Sequence, residues 1–144
     1  MERFPNEPTD ASLAIPRASA NPANDFETRI EDDGVVIVKF LKRNATSVVI
    51  PAQIDGQPVV AIAAEAFECC YSLTSVEFPN GLQTIGAYAF LSCYSLTSVE
   101  IPNSVASIGD KAFSDCAADL TLYGAAGSAA EEYAAENNLR FEAR

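Results

Sequence analysis

The residues that could do chemistry are few and regularly spaced. Cys70, Cys93 and Cys116 stand 23 residues apart, as do Glu77 and Glu100, Tyr71 and Tyr94, and Ser75 and Ser98. A nucleophilic cysteine normally draws on a neighbouring base, most often histidine, and the chain has no histidine at all. Zinc would need clustered Cys-x₂₋₄-Cys ligands, and none occurs. If each 23-residue unit makes one coil, the three sulfurs form a column at the spacing of neighbouring strands, ~4.8 Å. Their Cβ atoms then lie beyond the ~3.5–4.5 Å that a disulfide wants. The three are therefore expected as buried free thiols that act as small hydrophobes. Cys69 stands outside the column and is the thiol expected to be exposed and oxidisable.

Glu77 and Glu100 would point outward, one coil apart, with Val49 before them and Thr121 after them in the same column. Paired carboxylates suggest acid–base work or calcium. An open sheet, however, offers no burial to split their pKa values, and no further oxygens complete a calcium shell. Two readings remain: solvated residues copied by repeat duplication, or an acidic strip that meets a partner. Ser75 and Ser98 form the neighbouring outward column. Tyr71 and Tyr94 follow the column cysteines at the entrance to the strand. Large and amphipathic, they suit a binding rim, and they could equally stack on each other. The candidate binding set is thus Tyr71, Tyr94, Ser75, Glu77, Ser98 and Glu100. No catalytic residue, metal site or cofactor is expected, and the chain reads as a non-enzyme.

With 20 acids against 9 bases, the formal net charge is −11. A polyanion repels phosphate backbones and anionic lipid, which argues against nucleic acid. No apolar run approaches the ~18 residues of a spanning helix, so membrane insertion is not expected.

The elements that position these residues follow from the repeat. Aligning residues 66–88 with residues 89–111 gives 14 identical pairs out of 23. Phe67, Phe90 and Phe113 share the period, as do Ile62, Ile85 and Ile108. A fixed period of 20–29 residues marks a solenoid of leucine-rich-repeat size. Leu73-Thr-Ser-Val76-Glu-Phe78-Pro79 and Leu96-Thr-Ser-Val99-Glu-Ile101-Pro102 each read as a short strand with one buried face, ended by proline. Val48-Val49-Ile50-Pro51 repeats it earlier and Leu120-Thr121-Leu122 later. On the return path, Gly86 is read as a tight turn, Ala89 as a point of close approach and Phe90 as interior filling. Ile54–Pro58 reads as a surface insertion. Phe26–Ile30 and Val35–Phe40 flank Asp32-Asp33-Gly34 as a hairpin that covers the first open edge. Ser128-Ala-Ala-Glu131 is a capping box, Ala130, Tyr133 and Ala134 form a helical stripe, Asn137-Asn138 stops the helix, and Leu139-x-Phe141 is a last strand.

The pattern Ile-Pro-x-x-(Val/Leu)-x-x-Ile-Gly-x-x-Ala-Phe-x-x-Cys-x-x-Leu-Thr-x-Val resembles the BspA-type leucine-rich repeat. The Ile54–Val59 segment and the closing Gly127–Asn138 resemble the start and end segments of such proteins. Ala63 replaces a usual glycine, and Leu41–Asn44 replaces a glycine-rich hairpin end. The resemblance implies an α/β horseshoe-type solenoid rich in strand. It would have a parallel strand ladder, short helical or 3-10 turns, an N-terminal β-hairpin cap and a C-terminal capping helix. The expected organisation is a disordered or loosely packed arm over 1–25 and a repeat domain over 26–144. Within that domain, 26–44 is the hairpin cap, 45–124 the repeats and 125–144 the C-terminal cap. The resemblance implies a protein-binding module like bacterial adhesin-type surface proteins, binding another protein through a concave strand face. A structural or self-assembling module is the alternative. Met1-Glu2-Arg3 does not open a signal peptide. A natural start at Met1 would therefore place the chain in the cytosol, and a removed leader would place it at the surface or outside the cell.

Overall fold

A computed structural model describes residues 20–144. In chain order, the hairpin strands are β1 (Phe26–Glu31) and β2 (Gly34–Phe40). Then come β3 (Ser47–Val49), β4 (Gln53–Ile54), β5 (Gln57–Ile62), β6 (Ser75–Glu77), β7 (Thr84–Ile85), β8 (Ser98–Glu100), β9 (Ser107–Ile108) and β10 (Thr121–Gly124). Helix α1 (Ala129–Glu136) and β11 (Arg140–Ala143) complete it.

The coils carry two ladders. One is the parallel ladder β3-β6-β8-β10-β11, built from the strands the proline-ended pattern marks. The other runs β2-β5-β7-β9 in parallel, with β1 antiparallel at its outer edge. It is built on the isoleucine column, pairing Ile37 with Ile62, Ile62 with Ile85, and Ile85 with Ile108. Its strands β7 and β9 are two residues long, too short for an alternating pattern to announce them. The return path is therefore a strand followed by an arc, where the sequence suggested a turn alone.

The arc explains how the coils are stitched. N–H groups of Ala66, Glu68 and Cys70 bond three residues back, to Ala63, Glu65 and Phe67, at 3.2–3.3 Å as in a 3-10 turn. The intervening N–H groups of Glu65, Phe67 and Cys69 donate to Ala87, Ala89 and Leu91 of the next coil at 3.1, 2.7 and 2.8 Å. The alternation requires left-handed backbone at Glu65 (φ 64°) and Cys69 (φ 62°), and it recurs at Tyr88, Ser92, Lys111 and Asp115. Non-glycine residues pay a steric cost there, which the inter-coil bonds offset. Gly86, by contrast, is not left-handed. Its need is close approach: a Cβ would lie 2.6 Å from the Ala64 nitrogen and 2.8 Å from the Ala63 carbonyl carbon. Gly109 meets Ala87 and Gly86 in the same way. Ala63 heads this column after the extended β2 rather than after an arc, and a methyl is accommodated there.

Phenylalanines from successive arcs stack through the interior. Ring centroids are 5.2 Å apart for Phe40–Phe67, 4.7 Å for Phe67–Phe90 and 5.2 Å for Phe90–Phe113. Phe26 extends the stack at one end and Tyr133 at the other.

Each end is closed differently. The hairpin covers the edge of the second ladder. The edge strand of the first ladder, β3, is met by Asn21, whose N–H donates to Val49 O (2.9 Å) while its Oδ1 accepts from Val49 N (2.8 Å). Of the arm expected over 1–25, residues 1–19 lie outside the described residues. Ala23–Asp25 forms one 3-10 turn, and Asp25 O accepts from Leu41 N at 2.8 Å. The segment read as an insertion is a tight hairpin, β4–β5, with Asp55 (φ 52°) and Gly56 (φ 79°) at its turn and Ile54 buried. At the other end, Ser128 caps α1 through Glu131 N, while the Glu131 carboxylate accepts from Gly127 N (2.6 Å). Ala130, Tyr133 and Ala134 are buried as the stripe requires. Asn138 (φ 58°) ends the helix, and β11 pairs in parallel with β10.

Candidate functional site

Ser75–Val76–Glu77 and Ser98–Val99–Glu100 lie in register, with the valines buried and the serines exposed. The serine column runs Ser47, Ser75, Ser98, Thr121 and Arg140, and the acidic column runs Val49, Glu77, Glu100, Tyr123 and Glu142. Thr121 therefore follows Ser98, and Tyr123 follows Glu100. The sequence reading misplaced this register because Leu120-Thr121-Leu122 looks like the strand centre, whereas Leu122 is the partner of Val99.

Arg144 also stands on this candidate face, which the sequence alone does not indicate. Its guanidinium lies 3.9 Å above the Tyr123 ring centroid, and Nη1 is 3.6 Å from Glu100 Oε1. It is four residues past Arg140, and only the pairing of β11 with β10 brings it there. Glu77, Glu100, Val76, Phe78, Asn80 and Pro102 line an open groove of about 350 Å³. The lining carries two carboxylates and the Asn80 amide, and Arg144 already pairs with one of those carboxylates, Glu100.

Tyr71 and Tyr94 are stacked face to face, with centroids 5.0 Å apart and planes 11° from parallel. They are also 52% and 56% exposed. Of the two readings considered from sequence, the stacked pair is what the structure shows; the rings also leave a broad amphipathic surface exposed. The next coil has Ala117 in the equivalent position, which leaves one face of Tyr94 open. The tyrosines precede the strands and the acids end them, so the two sets sit at opposite ends of the same short strands. The Tyr71 hydroxyl is held above its ordinary pKa, chiefly by its hydrogen bond with Cys69.

The cysteine column is built for packing. Cys93 Sγ donates to Phe67 O (3.2 Å) and Cys116 Sγ to Phe90 O (3.3 Å), each reaching one coil back. Arg43 donates to Phe40 O in the coil before. The Cys93 thiol is pushed up by its hydrogen bond to Cys70 and by burial, whereas Cys70 is lowered, first by that bond. Burial pushes Cys116 up to about 12. All four cysteines are free thiols. Two expectations need correcting. Cys116 is only half-buried, packed against the core rather than within it, and Cys69 is half-buried, its N–H bonded to Leu91 O within the arc. Among the described residues, no three His, Cys, Asp or Glu side chains converge on a metal position.

A family model described as the BspA type leucine rich repeat region matches residues 39–124 in six copies. A leucine rich cell surface protein from Faecalibacterium prausnitzii aligns at 31% identity with a TM-score of 0.62. The alignment covers 76% of this chain and 31% of that one, so this chain spans about a third of it. A leucine-rich repeat protein from Bacteroides capillosus aligns at 26% identity and TM-score 0.52, over 73% of this chain and 97% of that one. The leucine rich repeat protein of T. pallidum is 31% identical over 73% of this chain and 71% of its own, with a TM-score of 0.47. No curated protein matches the chain. No helix among the described residues is long and apolar enough to cross a membrane.

Proposed function

Since the chain belongs to the BspA-type leucine-rich repeat family, we propose that it is a non-enzymatic protein-binding module working at or outside the cell surface. Its partner lies on the outward face of the ladder β3-β6-β8-β10-β11, bordered by the tyrosine pair. The observation that carries this reading is that pair. Two large aromatic side chains stand more than half exposed at equivalent positions of adjacent coils, already stacked and so ordered before any partner arrives. Pre-ordered aromatic surface loses little entropy on binding, and such residues supply interface hot spots. The groove between Glu77 and Glu100 takes a lysine or arginine of the partner. Likeness to a protein described as a cell surface protein supports the location.

The test is capture of binding proteins from the source cells and their surroundings, using the intact chain and a Tyr71→Ala/Tyr94→Ala variant side by side. A protein retained by the former and lost by the latter is the expected result. Equal retention by both would move the site away from the tyrosines.

A further inference from the structure

Strand β1 opens with Phe26-Glu27-Thr28-Arg29-Ile30. About Thr28 this run is symmetric in residue class and opposite in charge: apolar, acid, threonine, base, apolar. Such a strand is complementary to its own antiparallel copy. We propose that β1 pairs with β1 of a second copy of this chain, across a two-fold axis at Thr28, to form a closed dimer.

The strand is placed for this contact. Among the described residues β1 is last in its strand order, with β2 on its one paired side. Every residue after Phe26 is exposed, and Ile30, at 63%, is the most exposed large apolar side chain described. By the register with β2, Phe26, Thr28 and Ile30 share a face with Phe40, Ile37 and Val35, while Glu27, Arg29 and Glu31 take the other face. The two ends of the strand fix the backbone directions. Asp25 O accepts from Leu41 N at 2.8 Å, and Glu31 meets Gly34 across the turn Asp32-Asp33. Glu27 and Arg29, at alternate positions between them, therefore bond towards β2. The N–H and C=O groups of Thr28 and Ile30 point away from it, as does the C=O of Phe26. The Phe26 N–H is taken by Ala23 O.

In the dimer, Thr28 N–H donates to Thr28 O of the second copy and Ile30 N–H to its Phe26 O, each reciprocally. On one face Glu27 lies opposite Arg29; on the other, Thr28 meets Thr28 and Ile30 leaves water for the side of Phe26. Arg29 holds Glu31 through Nε at 2.7 Å, which leaves its terminal nitrogens for Glu27 of the second copy. Sliding one strand by two residues would set Arg29 against Arg29 or Glu27 against Glu27, so the charges select one register. The strands of this ladder stack along the solenoid axis in the order β1-β2-β5-β7-β9, so the two solenoids meet end to end. The contact is isologous and stops at two copies.

Sedimentation of the full chain over a concentration series tests this. The intact chain should rise reversibly to twice the monomer mass and no further. Glu27→Arg and Arg29→Glu each set like charges opposite one another, and each variant alone should self-associate about tenfold more weakly or worse. Mixed, these two variants should form a 1:1 dimer as readily as the intact chain, since each supplies the charges the other lacks. Thr28→Pro removes an outward N–H that β2 does not use, which an edge strand tolerates. That variant should stay monomeric with an unchanged circular dichroism spectrum. An intact chain that stays monomeric or grows past two copies would overturn the proposal. So would a charge reversal or a folded Thr28→Pro that dimerises like the intact chain, or a mixture no better than its components. The tyrosine variant of the preceding section should dimerise normally, so the two readings fail separately.

Discussion

Phe90 sits at the centre of the aromatic stack, fully buried, with Phe67 and Phe113 on its two faces and Phe78 edge-on at 5.7 Å. Stacked coils on both sides hold these neighbours in place, so truncation leaves a cavity that cannot collapse. Phe90→Ala should cost about 3–5 kcal/mol, read as a lowered chemical-denaturation midpoint; an unmoved midpoint would contradict the stack. The thiols divide by burial. Cys69 and Cys116 should react with a thiol reagent in the native state, and Cys70 and Cys93 only after unfolding. Early labelling of Cys93 would show that the column is open. Cys116 also gives a pH dependence. Its folded pKa is raised from an ordinary 9.0 to about 12, so the folded state favours the protonated thiol. That contribution is complete below about pH 9 and is lost as pH rises through about 12. Alkaline loss of stability should be shallower in Cys116→Ala, and an identical slope would remove the thiol from the account. At this scale, the columns Phe67/Phe90/Phe113 and Tyr71/Tyr94 were legible because a period places like on like. Tyr123 and Arg144 were not: Tyr123 stands one period after Glu100 but is unlike it, and only the pairing of β11 with β10 brings Arg144 to the same face.

At the scale of elements, the last arc poses a problem that α1 solves. Phe40, Phe67 and Phe90 each donate their N–H to an alanine carbonyl of the following coil: Ala66, Ala89 and Ala112. Phe113 has no following coil, and its N–H donates to the Tyr133 hydroxyl at 3.0 Å. The same ring closes the stack edge-on. Lys111 and Asp115 in that arc are exposed, so water can serve their N–H groups. Tyr133→Phe keeps the ring and strands one buried donor, which should cost about 1–3 kcal/mol as a lowered denaturation midpoint. No change would mean that water reaches Phe113. The helix and its apolar stripe were readable from Ser128, Glu131 and the spacing of Ala130, Tyr133 and Ala134. The hydroxyl's task was not, because it depends on an N–H orphaned only once the arcs are built. The second ladder escaped for a related reason: strands such as Thr84–Ile85 are fixed by neighbours above and below rather than by their own pattern. The Asp55-Gly56 hairpin did leave a local signal, an Asp-Gly pair, that a reading of excess length passed over.

For the whole molecule, on the binding reading proposed above, the net charge of −11 and the outward acids would set how a partner approaches, and the tyrosine pair how long it stays. Long-range attraction raises association rates and is screened by salt, whereas desolvated aromatic contacts govern dissociation. Glu77→Lys/Glu100→Lys changes half-buried and exposed positions, so the fold should persist while the surface potential reverses. The most direct measurement is therefore the binding kinetics of a captured partner against this pair of variants across ionic strength. The lysine variant should associate more slowly with a flattened salt dependence, and the Tyr71→Ala/Tyr94→Ala variant should dissociate faster at nearly unchanged association. Both variants binding with the rates of the intact chain would contradict a site on this face.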